Sequence, residues 1–118
     1  VNAVGSLELL VLMLFLTVGL IYLACGAFMY KIPPGKINHI MGYRTGRSMK
    51  DQTSWDFAQK YSGKLMIYAG IISMAMGLSV WMVYPDDGLV ACIVMIPQTL
   101  TIMPVITFTE GKLKRMQQ

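Results

Sequence analysis

The chain has 118 residues, enough for one domain, and 55% of them are hydrophobic, too many for an ordinary soluble domain. Ten basic residues against six acidic ones give a net charge of +4. All ten fall on one side of the three apolar stretches described next, so the surplus reads as membrane topology and not as a nucleic-acid surface.

Residues 9–30, 65–84 and 89–109 run without a single charged side chain. A helix rises about 1.5 Å per residue, so each stretch reaches about 30 Å, the depth of the hydrocarbon core. Backbone in lipid must pair internally, and the alternating strand-length runs of an outer-membrane barrel are absent, so each stretch is predicted to be a transmembrane helix. The expected fold is all-α: one membrane domain, 1–118, with three transmembrane helices and a cytoplasmic amphipathic helix between the first and second.

The first span has no basic residue before it and no small-x-small cleavage site after it, so it reads as a membrane helix and not as a signal peptide. Leu23-Ala24-Cys25-Gly26 is a poor lipoprotein site, because Tyr22 stands three before the cysteine. Cys25 and Cys92 fall at depths about 20 Å apart by helix rise, too far for a disulfide, and are expected to be small packing residues. The span should stop at Ile32-Pro33-Pro34-Gly35, where proline cannot continue the ladder.

Loop 31–64 carries seven basic and two acidic residues, and the tail after 109 carries three basic residues and Glu110. Only Glu8, Asp86 and Asp87 remain for the other side. Basic residues in short loops stay in the cytoplasm, which puts the N-terminus outside and the loop and C-terminus inside.

Within the loop, Thr53 with Asp56 resembles a capping box, and Ser48 with Asp51 offers an earlier helix start. Trp55, Phe57, Ala58, Tyr61 and Leu65 share one arc of a helical wheel, while Asp56 and Lys60 form an i,i+4 pair on the other. The pattern predicts a membrane-lying helix that bends or runs directly into the second span, with Trp55 at headgroup depth. Pro85-Asp86-Asp87-Gly88 is a tight turn that makes spans two and three antiparallel, with Trp81 and Tyr84 in the outer aromatic belt and Tyr30 and Tyr61 in the inner one. Ala69, Ser73 and Gly77 form a small-xxx-small row for helix packing. In the third span, Pro97, Gln98, Thr101 and Pro104 share one arc. Gln98 and Thr101 are therefore candidates for an intramembrane polar face, either lining a cavity or bonding neighbouring helices across a kink.

The densest polar segment is 38–50. Gly42 to Ser48 has three residues between its glycines and an arginine after the second, which does not make a phosphate-binding loop. His39 is the only histidine and has no second ligand at its depth, so a surface or hydrogen-bonding role is expected. No catalytic constellation and no cofactor site can be assembled, and the chain is not expected to be an enzyme.

Asn38, Gly42-Tyr43-Arg44-Thr45, Ser48-Met49-Lys50, Trp55, Ala58 and Gly63-Lys64, running into an apolar helix, resemble the signature of the bacterial SdpI family over about 37–72. The resemblance implies a multi-pass plasma-membrane protein. The family's founding member gives its producer immunity to a secreted toxic peptide and captures a repressor at the membrane, and it has a further hydrophobic half that three spans do not supply. Asn38, Tyr43, Arg44, Thr45, Arg47, Ser48, Lys50, Trp55 and Lys64 become candidates for contact with a partner or with lipid. The partners implied are membrane lipids, a peptide toxin, a cytoplasmic regulator and further copies of the chain. The alternative functions are a small transport-type protein, disfavoured by the absence of an intramembrane charge, and a scaffold or accessory subunit of a membrane complex.

Overall fold

The computed structural model describes residues 3–32, 35–38 and 40–118, with side chains from residue 5 onward. The predicted stop at Pro33-Pro34 and the histidine at 39 lie outside the described residues. The described chain is all-helical, without strands: α1 (Ala3–Lys31), α2 (Gln52–Val83), α3 (Gly88–Leu100) and α4 (Ile102–Met116). Three segments are long and apolar enough to cross a membrane, Gly5–Lys31, Gln52–Val83 and Gly88–Met116, the last comprising α3 and α4.

α1 and α2 form a long antiparallel pair whose seam is set by glycine. Gly19 and Gly26 on α1 are seven residues apart, as are Gly63, Gly70 and Gly77 on α2, the spacing that keeps a seam facing its partner along two supercoiled helices. A Cβ at Gly26 would lie 2.6 Å from the Gly63 carbonyl oxygen, and one at Gly70 would lie 2.8 Å from that of Gly19. The obstacles are backbone atoms, which cannot swing aside. Of the predicted row, Ala69, Ser73 and Gly77 are all buried.

The amphipathic segment is not a separate element. α2 is one helix of 32 residues, about 48 Å long and so longer than the hydrocarbon core is deep. Its surplus turns are the charged ones at the loop end. The start is Asp51, whose side chain accepts from the Ser54 amide at 2.7 Å, so the N-cap precedes Thr53 and follows Ser48. The buried stripe here is Ser54, Trp55, Ala58, Gln59, Ser62 and Gly63, turned from the predicted arc. Trp55 is fully enclosed by protein, while Phe57 and Tyr61 stack on each other at 5.1 Å and stay partly exposed. In place of the expected Asp56–Lys60 pair, Asp56 accepts from Gln52 Nε2 at 2.7 Å and the Lys60 ammonium sits 5.6 Å from the centre of the Tyr30 ring.

At the turn end, Asp87 caps α3 by accepting from the Val90 amide. Trp81 Nε1 donates to the Glu8 carbonyl across α1 and α2. Val11, Phe15 and Ala91 make a small apolar core there, with Val80, Trp81, Val90 and Val94 packed around it.

The third span is broken at Thr101. Proline at 104 has no N–H for the Leu100 carbonyl, and Pro97 leaves that of Ile93 free. The chain tightens into a single turn, with the Thr101 amide on the Gln98 carbonyl, before α4 resumes. α3 packs on α1 and α2, whereas α4 packs on α2, with Val105, Thr109 and Leu113 as its buried stripe. Both cysteines are free and exposed, so they do not serve as packing residues.

Candidate functional site

The polar segment between α1 and α2 folds through side-chain bonds to its own backbone. The Asn38 carboxamide oxygen accepts from the amides of Ile40 (2.9 Å) and Met41 (2.8 Å). Gly42 then takes φ 105°, a left-handed conformation that costs a glycine little. That reversal delivers Tyr43 to a buried glutamine. Gln59 Oε1 accepts from the Tyr43 amide at 2.7 Å, and its Nε2 donates to the Tyr43 carbonyl at 2.8 Å. A fully buried carboxamide thus pairs both backbone groups of one loop residue, as a neighbouring strand would.

Past Tyr43 the chain makes one tight turn around Ser48. Its hydroxyl accepts from the Thr45 amide at 2.8 Å and lies 3.0 Å from the Tyr43 and Thr45 carbonyls, while the Ser48 amide donates to Thr45 Oγ1. The Met49 amide closes the turn on the Thr45 carbonyl. The tail clasps this turn from outside: Gln117 Nε2 donates to the Arg47 carbonyl (2.8 Å) and to Ser54 Oγ (3.0 Å). Gln52 Nε2 reaches the Gly35 carbonyl. What remains outward is charge, since Arg44, Arg47, Lys50 and Lys64 are all exposed.

The Tyr43 phenol is directed at α4. Its hydroxyl lies 3.4 Å from the Ile106 carbonyl and close to the Glu110 carboxylate. Burial first, and then the negative charge of Glu110, push its pKa well above the usual phenol range. One Glu110 oxygen, Oε2, is buried without a hydrogen-bond partner. Next to this contact, between α1 and α4, is an apolar cleft of about 470 Å³ with residues 42–45 over its loop end.

A second polar cluster sits at the break in the third span. Gln98 is fully buried, and its Nε2 donates to the carbonyls of Phe15 and Ser73, both at 2.8 Å, joining three helices. The Gln98 carbonyl accepts from Thr101 Oγ1 at 2.6 Å and from Ser73 Oγ at 3.3 Å, and Tyr22 donates to the Thr99 carbonyl. Carbonyls at the break in the helix thus find hydroxyl partners within the bundle. The predicted polar face divides here: Gln98 and Thr101 turn to neighbouring helices, while Pro97 and Pro104 stay exposed.

The structure therefore gathers Tyr43, Thr45 and Ser48 into one unit, leaves Asn38 in its own preceding turn, and leaves Arg44, Arg47, Lys50 and Lys64 on its surface. Trp55 lies enclosed near the start of α2. Sequence reasoning passes over Gln59, Gln117 and Glu110. Gln59 has one available signal, since it falls with Ser62 and Gly63 on the face of α2 that turns inward. Gln117 has none, because its partners lie 70 and 63 residues away.

Two comparisons with known proteins bear on this arrangement. The profile of the SdpI/YfhL protein family matches residues 35–108, from the polar segment to the middle of α4. The chain is 34% identical over 97 residues to the uncharacterized protein YfhL of Bacillus subtilis (strain 168), covering 79% of this chain and 87% of that protein. No solved structure matches the chain.

Proposed function

Because this chain belongs to the SdpI/YfhL family, we propose that it acts as an immunity or sensing protein against a membrane-active peptide, in the plasma membrane of a bacterium. The observation that carries the reading is the organisation of segment 38–50. Its backbone groups at Tyr43, Thr45 and Arg47 are spent on internal bonds, so the unit is rigid and presents Arg44, Arg47 and Lys50 outward. Guanidinium groups on a preorganised turn suit bidentate contact with carboxylate or phosphate, and a peptide or a cytoplasmic regulator with acidic groups is the partner that fits. The role is one of binding, without catalysis.

The reading places the basic loop and tail in the cytoplasm by the positive-inside rule. In a background lacking Cys25 and Cys92, cysteine at Asp87 should react with an impermeant thiol reagent in intact cells, and cysteine at Lys36 or Lys114 should not. Labelling at Lys36 would reverse the orientation. The function itself is tested by expressing the chain in a strain sensitive to a secreted antimicrobial peptide whose gene neighbours that of this protein. Survival is expected with the native chain and is expected to be lost with Arg47→Ala and Lys50→Ala combined, at unchanged protein level. Equal survival with and without the native chain rejects the proposal.

A further inference from the structure

We infer that the cleft between α1 and α4 binds one anionic phospholipid, its phosphate on Arg44 and an acyl chain along the groove. The inference concerns lipid and draws on Arg44 alone of the three exposed cations named above, so Arg47 and Lys50 remain for the partner.

The cleft follows from the break at Thr101. Above it α3 packs against α1, and below it α4 leans on α2, so α1 and α4 part. Cys25 and Met29 line one wall, Ile102 and Ile106 the other, and Met66 lies between. Its volume of about 470 Å³ falls within the range of small-molecule sites. Both walls belong to segments long and apolar enough to cross a membrane, so an acyl chain is the complementary filling between them.

Two features select the occupant. Arg44 is exposed at the loop end of the cleft, on the side where all the basic residues gather, so one anion at the end of an apolar body is the complementary chemistry. Of the four loop residues in the lining, Tyr43 and Thr45 already have both backbone groups engaged. Gln59 pairs the amide and carbonyl of Tyr43, and Ser48 holds the amide and carbonyl of Thr45. The helix walls offer an extended peptide no ladder for its own backbone, whereas an acyl chain needs none.

Cys25 in the wall serves as a reporter and Cys92, on α3 and outside the cleft, as its internal control. The full chain in neutral detergent micelles is treated with N-ethylmaleimide in the presence of dioleoylphosphatidylglycerol or dioleoylphosphatidylcholine, and each cysteine is followed by peptide mass spectrometry. Phosphatidylglycerol should slow Cys25 alkylation about tenfold more than phosphatidylcholine does, the ratio expected for one charge-assisted contact. Cys92 should not discriminate between the two lipids. Arg44→Gln should remove the difference and Arg44→Lys should keep most of it, since a phosphate accepts from either cation. Ile106→Trp fills the groove without touching the cation, and by native mass spectrometry it should lose the retained phosphatidylglycerol while its melting temperature shows that it folds. Equal protection by both lipids, protection that survives Arg44→Gln, or lipid retention by Ile106→Trp each overturns the inference. So does stronger protection of Cys25 by an acidic amphipathic peptide than by phosphatidylglycerol.

Discussion

The α1–α2 seam and the α4–loop region are joined by opposite means. Along the seam, glycines bring two backbones into direct contact, and a Cβ at Gly70 would meet the Gly19 carbonyl and the Leu23 amide, both at 2.8 Å. In the loop region the elements stay apart, and long carboxamides bridge the gap: Gln59 to Tyr43, and Gln117 to Arg47 and Ser54. Contact between backbones leaves no room for extra atoms. Bridging by side chains leaves space, and the cleft beneath Arg44 is part of that space. The family profile, residues 35 to 108, takes in α2 and the polar loop but neither α1 nor Gln117, so it covers one side of the seam and most of the bridged region.

The largest effect should come from adding atoms to the seam. Gly70→Val places a branched side chain against backbone that cannot yield, and should cost about 3 kcal/mol or more, enough to deplete folded protein from detergent extracts. Gly111→Ala on α4 is the matched control, because nothing lies within 4 Å of its added carbon. There the better helix propensity should stabilise by up to about 1 kcal/mol. Thermal unfolding in detergent measures both. A tolerated Gly70→Val would remove the distinction between the two regions.

The next effect should be smaller and local. Gln59→Leu keeps the volume but strips both bonds from Tyr43 and buries its backbone groups unpaired, at about 2 kcal/mol. Amide exchange across 42–50 should accelerate while the amides of α1 and the second half of α2 stay protected. Uniform acceleration through the spans would mean that the clamp holds the whole bundle and not the loop alone.

How much of this is legible in the sequence depends on the range of the interaction. The three spans are readable because charge-free runs that match the bilayer thickness seldom arise in a water-soluble fold. The glycine seam is readable in part: the row Ala69, Ser73 and Gly77 is visible, but the sevenfold spacing shared by Gly63, Gly70 and Gly77 with Gly19 and Gly26 is the stronger sign. Hydrophobicity marks Phe57, Tyr61 and Leu65 as the membrane-lying side of the first turns of α2 and gives no sign of which side meets the rest of the protein. The helix buries Gln59 and Ser62 beside Trp55, drawn by bonds to a distant loop. A search for hydroxyl caps passes over Asp51, though an aspartate before a helix serves as well. Tyr43, Thr45 and Ser48 stand out as a motif and bond one another three to five positions apart. Gln59, which holds Tyr43, lies 16 positions away, and Gln117, which holds the Arg47 carbonyl, lies 70 away. No local pattern encodes those pairings.

Within the membrane, Gln98 combines both modes of joining, since it is a carboxamide bridge set against a glycine, Gly77. Gln98→Leu loses two donated bonds, to Phe15 and Ser73, but also removes Oε1, a buried acceptor with no partner. The two changes offset, and intramembrane side-chain bonds are individually weak, so the cost should be about 1 kcal/mol or less. Melting in detergent should fall by a few degrees at most, about what that energy allows in a domain of this size. A collapse comparable to that of Gly70→Val would show the bridge, and not the seam, to be the main tie in the spans.

The smallest effect is one of pH at the start of α2. The amide of Ser54 donates to the Asp51 carboxylate, and that bond holds its pKa below the usual carboxylate value. A group whose folded pKa is depressed adds stability above its unfolded value, about 3.9 for aspartate, and loses it as pH falls through the folded value. The cap should therefore be intact at neutral pH and weaken only below about pH 4, fraying the first turn of α2 and leaving the spans folded. Amide exchange of Ser54 and Trp55, corrected for intrinsic rates, should show protection falling in that window. Asp51→Asn keeps an oxygen acceptor but cannot titrate, so the same amides should keep constant protection across the window. Equal acid fraying in Asp51→Asn would show that the effect does not arise at this cap.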